Sequence, residues 1–209
     1  MKHHIVITLA SLPLFLAGCT TAKIADYQPA SAATTERAVQ QSGVEVALDP
    51  FVEKARTEKY FDMDAVAEGI AILHVRVANK TADQTFLVLK KNVRLIPIGA
   101  GTAMTGDGKQ IERSKTGAET TGIIGGVAGS APLILVSAAM LSKSTETQRN
   151  FVGKEMPDQT LSPGESMEGF VYFTPVKKGE DWSRATTAQV DLVDTKSHQT
   201  TELTIPFSN

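Results

Sequence analysis

Apolar and polar residues alternate in two stretches of the chain, and this alternation predicts β-strands. In residues 71–78 every second side chain is apolar, whereas His74 and Arg76 fall on the opposite face. A period of two is typical of a strand that is buried on one face and meets solvent on the other. We therefore expect His74 to lie on an outward face. Residues 165–174 surround a run rich in valine and aromatic residues, which predicts another strand.

Turn signals separate six further segments of strand-like composition. A turn at 79–83 follows the first strand, Gly106-Asp107-Gly108 signals a hairpin, and a turn at 194–198 lets two C-terminal segments pair. The segments are 85–89, 92–98 (a continuation of 85–89 or a separate strand), 102–105, 109–113, 188–193 and 200–207. Short antiparallel strands at this spacing predict a mainly β protein with the architecture of an antiparallel β-sandwich.

A short apolar segment begins the chain. Residues 5–16 carry no charge and follow the basic Lys2, and twelve residues are too few to span a bilayer as a helix. The segment ends in Leu16-Ala17-Gly18-Cys19. This motif resembles the lipobox of bacterial lipoproteins. The resemblance implies that residues 1–18 are a signal peptide and that Cys19 becomes the mature N-terminus, with acyl chains such as palmitate on its sulfur and its amine.

The lipobox resemblance also implies a location. Two or three acyl chains hold a protein in one leaflet effectively permanently, because each buried methylene contributes roughly 0.8 kcal/mol. In enterobacteria-like lipoproteins an aspartate after the cysteine retains the protein at the inner membrane, and Thr20 takes that position here. We therefore expect a lipid-anchored protein on the periplasmic face of the outer membrane.

Three motifs in the strand regions carry a second resemblance. They are the strand end Val77-Ala78-Asn79, the turn Leu161-Ser162-Pro163-Gly164 and the strand core Gly169-Phe170-Val171-Tyr172-Phe173. The arrangement is similar to the immunoglobulin-like domains of many small bacterial lipoproteins, and it implies an immunoglobulin-like β-sandwich. The Cys…Trp…Cys pattern of antibody domains is absent. For Trp182, in a polar loop, a packing role is favoured over a role as an interface anchor.

Composition divides the mature chain into a tether and one domain. Residues 19–43 begin with the lipidated cysteine and are rich in Ala, Thr, Ser and Gln, which predicts a flexible tether with a root-mean-square length of about 27 Å. A short helix around residues 35–41 is the alternative for its end. Residues 44–209 have the length of one domain, which would be the β-sandwich with its helical insert at about 118–148.

The insert contains an uncharged apolar segment, residues 122–141. Its glycines form a pattern like a glycine zipper, because two pairs are each spaced four residues apart, which lets another helix approach closely. The glycines are Gly122, Gly125, Gly126 and Gly129. Three interpretations remain open: a single transmembrane pass, a helical hairpin with arms at 119–129 and 132–148 that meets the membrane or a partner, and ordinary core helices covering the sandwich.

Cysteine usage and charge exclude several classes of function. Cys19 is the single cysteine, so a lipidated chain has no disulfide, no cysteine-bound zinc and no thiol nucleophile. The formal charge is −2 for the whole chain, and it is −3 once Lys2 is removed with the signal peptide. Nothing supplies the basic face that nucleic-acid binding requires. We expect no nucleic-acid partner and no cofactor.

Two groups of polar residues are candidates for chemistry, and neither has a convincing pattern. His198 follows Ser197 and Asp194 in one turn, but members of a catalytic triad converge from separate elements. Asp62 and Asp64 could offer oxygens to calcium, but calcium takes six to eight ligands and the glycine-containing loop is missing. The sequence therefore predicts no catalytic residue and no metal site.

The leading hypothesis is a non-enzymatic structural or accessory subunit of an envelope assembly, which binds a protein partner or copies of itself through the insert. The alternative is a periplasmic carrier for a lipid or another apolar ligand, with the insert lining a pocket. An enzyme would require candidate residues to gather in one cleft. Those residues are Asp62, Asp64, His74 and His198.

Overall fold

The structure is a computed structural model that describes residues 24–27, 37–97, 102–105, 110–112, 145–174, 179 and 181–207. Within these residues the chain forms ten strands, two α-helices and one 3-10 helix. The strands are β1 (Arg37–Gln41), β2 (Val44–Phe51), β3 (Ala71–Asn79), β4 (Phe86–Pro97), β5 (Thr102–Thr105), β6 (Gln110–Glu112), β7 (Gln159–Leu161), β8 (Ser166–Phe173), β9 (Thr186–Asp194) and β10 (Thr200–Pro206). The helices are α1 (Lys54–Phe61), α2 (Thr145–Lys154) and the 3-10 helix Trp182–Ala185.

The strands form two antiparallel sheets, so the prediction of a mainly β, sandwich-like protein is confirmed. The first sheet has the order β1-β2-β3-β8, and the second has the order β10-β9-β4-β5-β6, with β7 paired to the start of β4. β3, β8, β9 and β10 lie where alternation and turn signals predict them. β5 and β6 pair with each other, as predicted for the segments on either side of Gly106-Asp107-Gly108.

Residues 85–89 and 92–98 belong to one strand rather than two. β4 runs from Phe86 to Pro97 and is interrupted by a shift in register against β9 between Val88 and Val93. Extra residues at such an irregularity bend a strand and increase its twist. The irregularity lets the first part of β4 pair with β7 and the second part pair with β5.

The sheet begins earlier than the sequence predicts. β1 starts at Arg37, inside the range 19–43 that was expected to be a tether, and the alternative of a helix near residues 35–41 is wrong. β1 and β2 are joined by a two-residue turn in which Ser42 and Gly43 both have positive φ, 51° and 77°. Positive φ at both positions is what the tight hairpin turn of type I′ requires. The folded part of the protein therefore includes residues 37–43.

The space between the two sheets is filled by aliphatic side chains. Each of them is at most 1% exposed, and burial of such a side chain contributes about 1.5–3 kcal/mol. Examples from the first sheet are Val46, Leu48, Leu73, Val75 and Val77, and examples from the second are Val88, Leu95, Val190, Leu192, Leu203 and Ile205. Trp182 is also buried here with its ring edge-on to Phe207, in the packing role that was favoured for it.

A third layer covers the outer face of the first sheet. α1 and α2 pack on this face over a cluster of mostly aromatic residues: Phe51, Phe61, Ile72, Phe151, Phe170 and Tyr172. His74 lies on this face as predicted, but it is buried rather than turned to solvent. The expectation of a half-buried strand fails at β3 because two helices and Tyr27 cover its second face.

Several predicted features lie outside the described residues. They are the signal peptide 1–18, the lipobox residues Leu16, Ala17, Gly18 and Cys19, and the insert glycines Gly122, Gly125, Gly126 and Gly129. α2 begins within the predicted insert 118–148 and continues beyond it to Lys154. In the part of the chain that the structure describes, no helix has the length and apolar character needed to cross a membrane.

Candidate functional site

Buried polar groups cluster on the outer face of the first sheet. Asp49 of β2 lies directly opposite His74 of β3, and His74 lies opposite Phe170 of β8, so the three side chains form one row across the sheet. Asp49 is only 1% exposed and His74 only 2%. Polar groups at this depth are costly unless they are paired, so each of their partners matters.

Asp49 is paired with Arg56 of α1. The Arg56 guanidinium donates two parallel hydrogen bonds, from Nη1 to Asp49 Oδ1 at 3.0 Å and from Nη2 to Oδ2 at 2.6 Å. Its carbon also lies 4.0 Å from the centre of the Phe51 ring. Burial acts to lower the pKa of Arg56, but hydrogen bonding and the charge of Asp49 outweigh it, and the pKa is raised. The pair fastens α1 to the sheet in a fixed geometry.

Tyr27 closes the cluster from a segment far away in the sequence. Its hydroxyl donates to Asp49 Oδ2 at 2.6 Å. Its ring makes edge-to-face contacts with four rings: Phe51 (5.2 Å between centroids), Tyr60 (5.4 Å), His74 (4.7 Å) and Phe170 (5.3 Å). Tyr27 therefore occupies a pocket with aromatic walls and a carboxylate at its base, which we call the Tyr27 pocket.

The chain next to Tyr27 is also attached to both helices. The Ala25 amide donates to the Lys59 carbonyl at 3.3 Å, and the Lys154 ammonium donates to the Ala25 carbonyl at 3.3 Å and to the Tyr60 carbonyl at 2.9 Å. Burial lowers the pKa of Lys154, while the charge of Asp26 acts in the opposite direction. Residues 24–27 thus dock at the meeting point of α1 and α2, inside the range expected to be a tether.

His74 is held in its neutral form. Burial lowers its pKa to about 4, helped by the charges of Arg76 and Arg56 and opposed by the charge of Asp49. Nδ1 has no hydrogen-bond partner, and Nε2 lies 3.9 Å from the Glu168 carboxylate. With the imidazole neutral at pH 7, this contact is not an ion pair. The pKa lies far from the value near 7 that suits a general base.

The acids considered as calcium ligands have structural roles at the end of α1. Asp62 is the left-handed C-cap residue of the helix, and its side chain accepts a hydrogen bond from Thr147 at 3.2 Å. Asp64 Oδ1 accepts from the Ala67 amide at 3.1 Å and stabilises the following turn. The described residues contain no group of three or more His, Cys, Asp or Glu side chains that could hold a metal ion.

His198 lies in the turn between β9 and β10, on the second sheet. Asp194 Oδ1 in this turn accepts from the amides of Lys196 at 2.8 Å and Ser197 at 2.6 Å, and these bonds lower the pKa of Asp194. The aspartate and the serine of the local Asp-Ser-His group therefore interact through the backbone of the turn. His74 makes its contacts on the first sheet, so the structure does not bring the two histidines into one site.

No sequence motif points to Asp49, Arg56 or Tyr27 as site residues. One signal was present, because Tyr27 is the single aromatic residue between Cys19 and Gly43, in a stretch of small and polar residues. Such a residue is out of place in a solvated tether. The partners of Asp49 could not be read from sequence, since the carboxylate is joined to residues 7 and 22 positions away on other elements.

Comparison with protein-family models gives no match for this chain, and comparison with curated proteins gives none either. Function is therefore inferred from the described geometry. The arrangement is a docking site: a buried carboxylate is paired with a partly buried guanidinium, and the segment 24–27 inserts one aromatic side chain beside them.

Proposed function

We propose that the protein is a lipid-anchored cell-envelope protein that acts as a non-enzymatic structural or accessory subunit of an envelope assembly, on the periplasmic face of the outer membrane. The fold class we propose is an immunoglobulin-like β-sandwich with a glycine-rich helical insert. The observation that carries the functional proposal is the docking of residues 24–27 onto the domain, a few residues after Cys19.

This docking supports a lipid held close to the folded domain. Ile24 follows Cys19 by five positions, and an extended chain of that length spans at most about 18 Å. The lipidated end of the chain would therefore remain near the surface formed by α1 and α2. A protein held in this way is suited to a fixed position beside a membrane-bound partner.

The polar residues of the site support a structural role. The Asp49 carboxylate accepts all three of the bonds described above, from Arg56 and Tyr27, and His74 is neutral among aromatic rings. A nucleophile and a base within reach of each other would be the signature of covalent catalysis. The groups here instead hold an N-terminal segment and a helix against a sheet.

The packing between the sheets favours a subunit over a carrier. Side chains from both sheets meet there with at most a few per cent of their surface exposed, as in a solid core. The segment 122–141 is part of the connection from β6, an edge of the second sheet in the described chain, to α2 on the first sheet. We propose this connection, with its four glycines, as the surface for a protein partner or a second copy.

The lipid anchor is tested by Cys19→Ser. The variant should incorporate no palmitate and should leave the membrane fraction, because it lacks the sulfur that accepts the lipid. Thr20→Asp is the matched control: it should stay lipidated and move to the inner membrane in an enterobacterial host. Continued palmitate labelling of Cys19→Ser would contradict the proposal.

The interaction surface is tested by Gly125→Leu combined with Gly126→Leu. The larger side chains should prevent close approach of another helix and weaken self-association or partner crosslinking, measured by light scattering and crosslinking of the lipidated chain in detergent. Trp182 fluorescence reports whether the sandwich is still folded. Unchanged assembly in a folded double variant would show that these glycines do not form the interface.

A further inference from the structure

We propose that Tyr27 and its pocket form a latch that holds the domain close to the membrane, and that release of Tyr27 lengthens the connection between the lipid and the domain. The inference rests on the proposed function, because it requires a lipid on Cys19. It goes further by assigning a mechanical role to residues 24–27 and by naming the site that controls this role.

The pocket has the features of a built site rather than an incidental contact. Its walls are rings from three elements, Phe51 of β2, Tyr60 of α1 and Phe170 of β8. Its base is the Asp49 carboxylate, which is 1% exposed and receives the Tyr27 hydroxyl at 2.6 Å. An aromatic wall with a buried acceptor at the end matches a phenol, which is the side chain that occupies it.

The latch can open without leaving a buried charge alone. When Tyr27 leaves, Asp49 keeps both hydrogen bonds from Arg56. Other attachments of the segment include the Ala25 amide bond to Lys59 and the Lys154 bond to the Ala25 carbonyl, both at 3.3 Å. The pocket therefore has a satisfied base in both states, as a reversible docking site requires.

Opening the latch would change the reach of the domain more than threefold. With residues 24–27 docked, Ile24 is five positions from Cys19, and five residues span at most about 18 Å. With the segment free, the next described residue on the domain is Arg37 at the start of β1, and 18 residues span at most about 65 Å. A docked domain would contact partners near the membrane, and a released one would reach partners farther away.

The distance between the bilayer and the domain is measured by fluorescence energy transfer. The full-length lipidated protein is placed in phosphatidylethanolamine–phosphatidylglycerol vesicles. Ala82→Cys, in an exposed turn, carries the donor dye, and labelled lipid headgroups carry the acceptor. Tyr27→Ala should lower the transfer efficiency, whereas Glu202→Ala, an exposed residue on β10 of the second sheet, should keep it near the wild-type value. Equal efficiency in membrane-bound wild type and Tyr27→Ala overturns the latch and leaves the lipid anchor standing. A wild-type chain that carries no lipid overturns both the latch and the lipid anchor.

The pocket is tested separately with p-cresol, which has the shape of a tyrosine side chain. p-Cresol should raise the thermal midpoint of Tyr27→Ala and leave that of the wild type unchanged, and toluene should raise it less because it cannot donate to Asp49. Equal shifts of the thermal midpoint in both proteins, or no shift in either, contradict the proposal that Tyr27 occupies a pocket for a phenol. If Tyr27→Ala does not fold, Tyr27→Phe replaces it. This variant keeps the ring and loses the hydroxyl, so transfer should fall partway, and unchanged transfer overturns the latch.

Discussion

On its inner face, the first sheet presents Leu48, Leu73 and Val75 to the second sheet, in a core that is mostly aliphatic. On its outer face, at the positions that directly follow Leu48 and Leu73, Asp49 and His74 are buried as deeply among aromatic rings. Both faces exclude water. They differ in how the covering layer is attached.

The inner face is covered by another sheet, and nondirectional apolar contacts are sufficient to hold it. The outer face is covered by two short helices and a chain segment of four described residues, over a cluster with fewer apolar residues than the core between the sheets. Here a bidentate ion pair and a phenol hydroxyl fix which residues meet and in which orientation. Polar contacts are therefore placed where small elements must dock in one position.

The largest expected effect comes from removing the positive charge that pairs with Asp49 on the outer face. Arg56→Met should cost about 3–5 kcal/mol in the free energy of unfolding, because it leaves the Asp49 carboxylate buried with only the Tyr27 hydroxyl as a partner. Urea unfolding of the Cys19→Ser chain, followed by Trp182 fluorescence, measures the change.

Two further variants control for the loss of a positive charge on α1. Lys54→Met removes a lysine that is 67% exposed and pairs with Glu58, and it should change stability by less than about 1 kcal/mol. Arg56→Met combined with Asp49→Asn should recover part of the loss, since no buried charge remains. Equal losses from Arg56→Met and Lys54→Met would show that the outer face does not depend on its ion pair.

The next effect distinguishes the faces by pH, because the cluster between the sheets consists of apolar side chains, whereas the outer face buries a histidine. The pKa of His74 is about 4 in the folded protein and 6.5 in a free histidine. As pH falls through this window the unfolded chain takes up the proton first, so stability is lost between about pH 6.5 and 4. The loss is at most about 3 kcal/mol.

His74→Gln should remove this dependence of the unfolding free energy on pH, since glutamine does not titrate. Subtracting the values of the variant from those of the wild type removes the contributions of the other titratable groups. Unfolding is measured in urea at intervals from pH 7 to pH 4. His198→Asn, an exposed histidine in a turn that asparagine tolerates, is the control and should leave the slope in place. A wild-type slope that survives in His74→Gln would assign the pH dependence to other groups.

The inner face was largely predictable from sequence, and the outer face was not. Alternation at residues 71–78 identifies β3 and the apolar side that meets the second sheet, because a strand has a fixed period of two. The same pattern cannot show that the second side is buried. Burial of His74 depends on elements that lie far from it in the sequence: the Tyr27 ring contacts it, and α1 and α2 cover the aromatic cluster on the same face.

No pattern in the sequence predicts α1, and the reason is physical. It has eight residues, of which only Thr57 and Phe61 are buried, and an isolated helix of this length is not stable on its own. Its position depends on the Arg56 contact with Asp49 and on its packing partners. β2 was missed because Glu45, Asp49 and Pro50 interrupt its apolar residues, and β1 because a polar, alanine-containing strand resembles a tether in composition.

The smallest expected effects come from replacing a glycine by alanine, once in the first sheet and once in the outer layer. Gly169 of β8 lies against the backbone of Met156, and a Cβ at this position would lie 2.5 Å from the Met156 Cα. Gly169→Ala should therefore cost about 1–3 kcal/mol, because backbone on both sides must shift. Gly153, in α2 of the outer layer, has nothing within 4 Å of the position of a Cβ.

Gly153→Ala should instead stabilise the protein by about 0.5–1 kcal/mol, since alanine loses less backbone freedom than glycine in a helix. Urea unfolding of the two variants side by side measures effects of opposite sign from the same added methyl group. If both variants destabilise the protein, the surface of α2 is covered in solution, and the outer layer is packed as tightly as the inner one. Opposite signs mean that the outer layer is held at a few directed contacts and is open elsewhere, as expected of a layer that docks a removable segment.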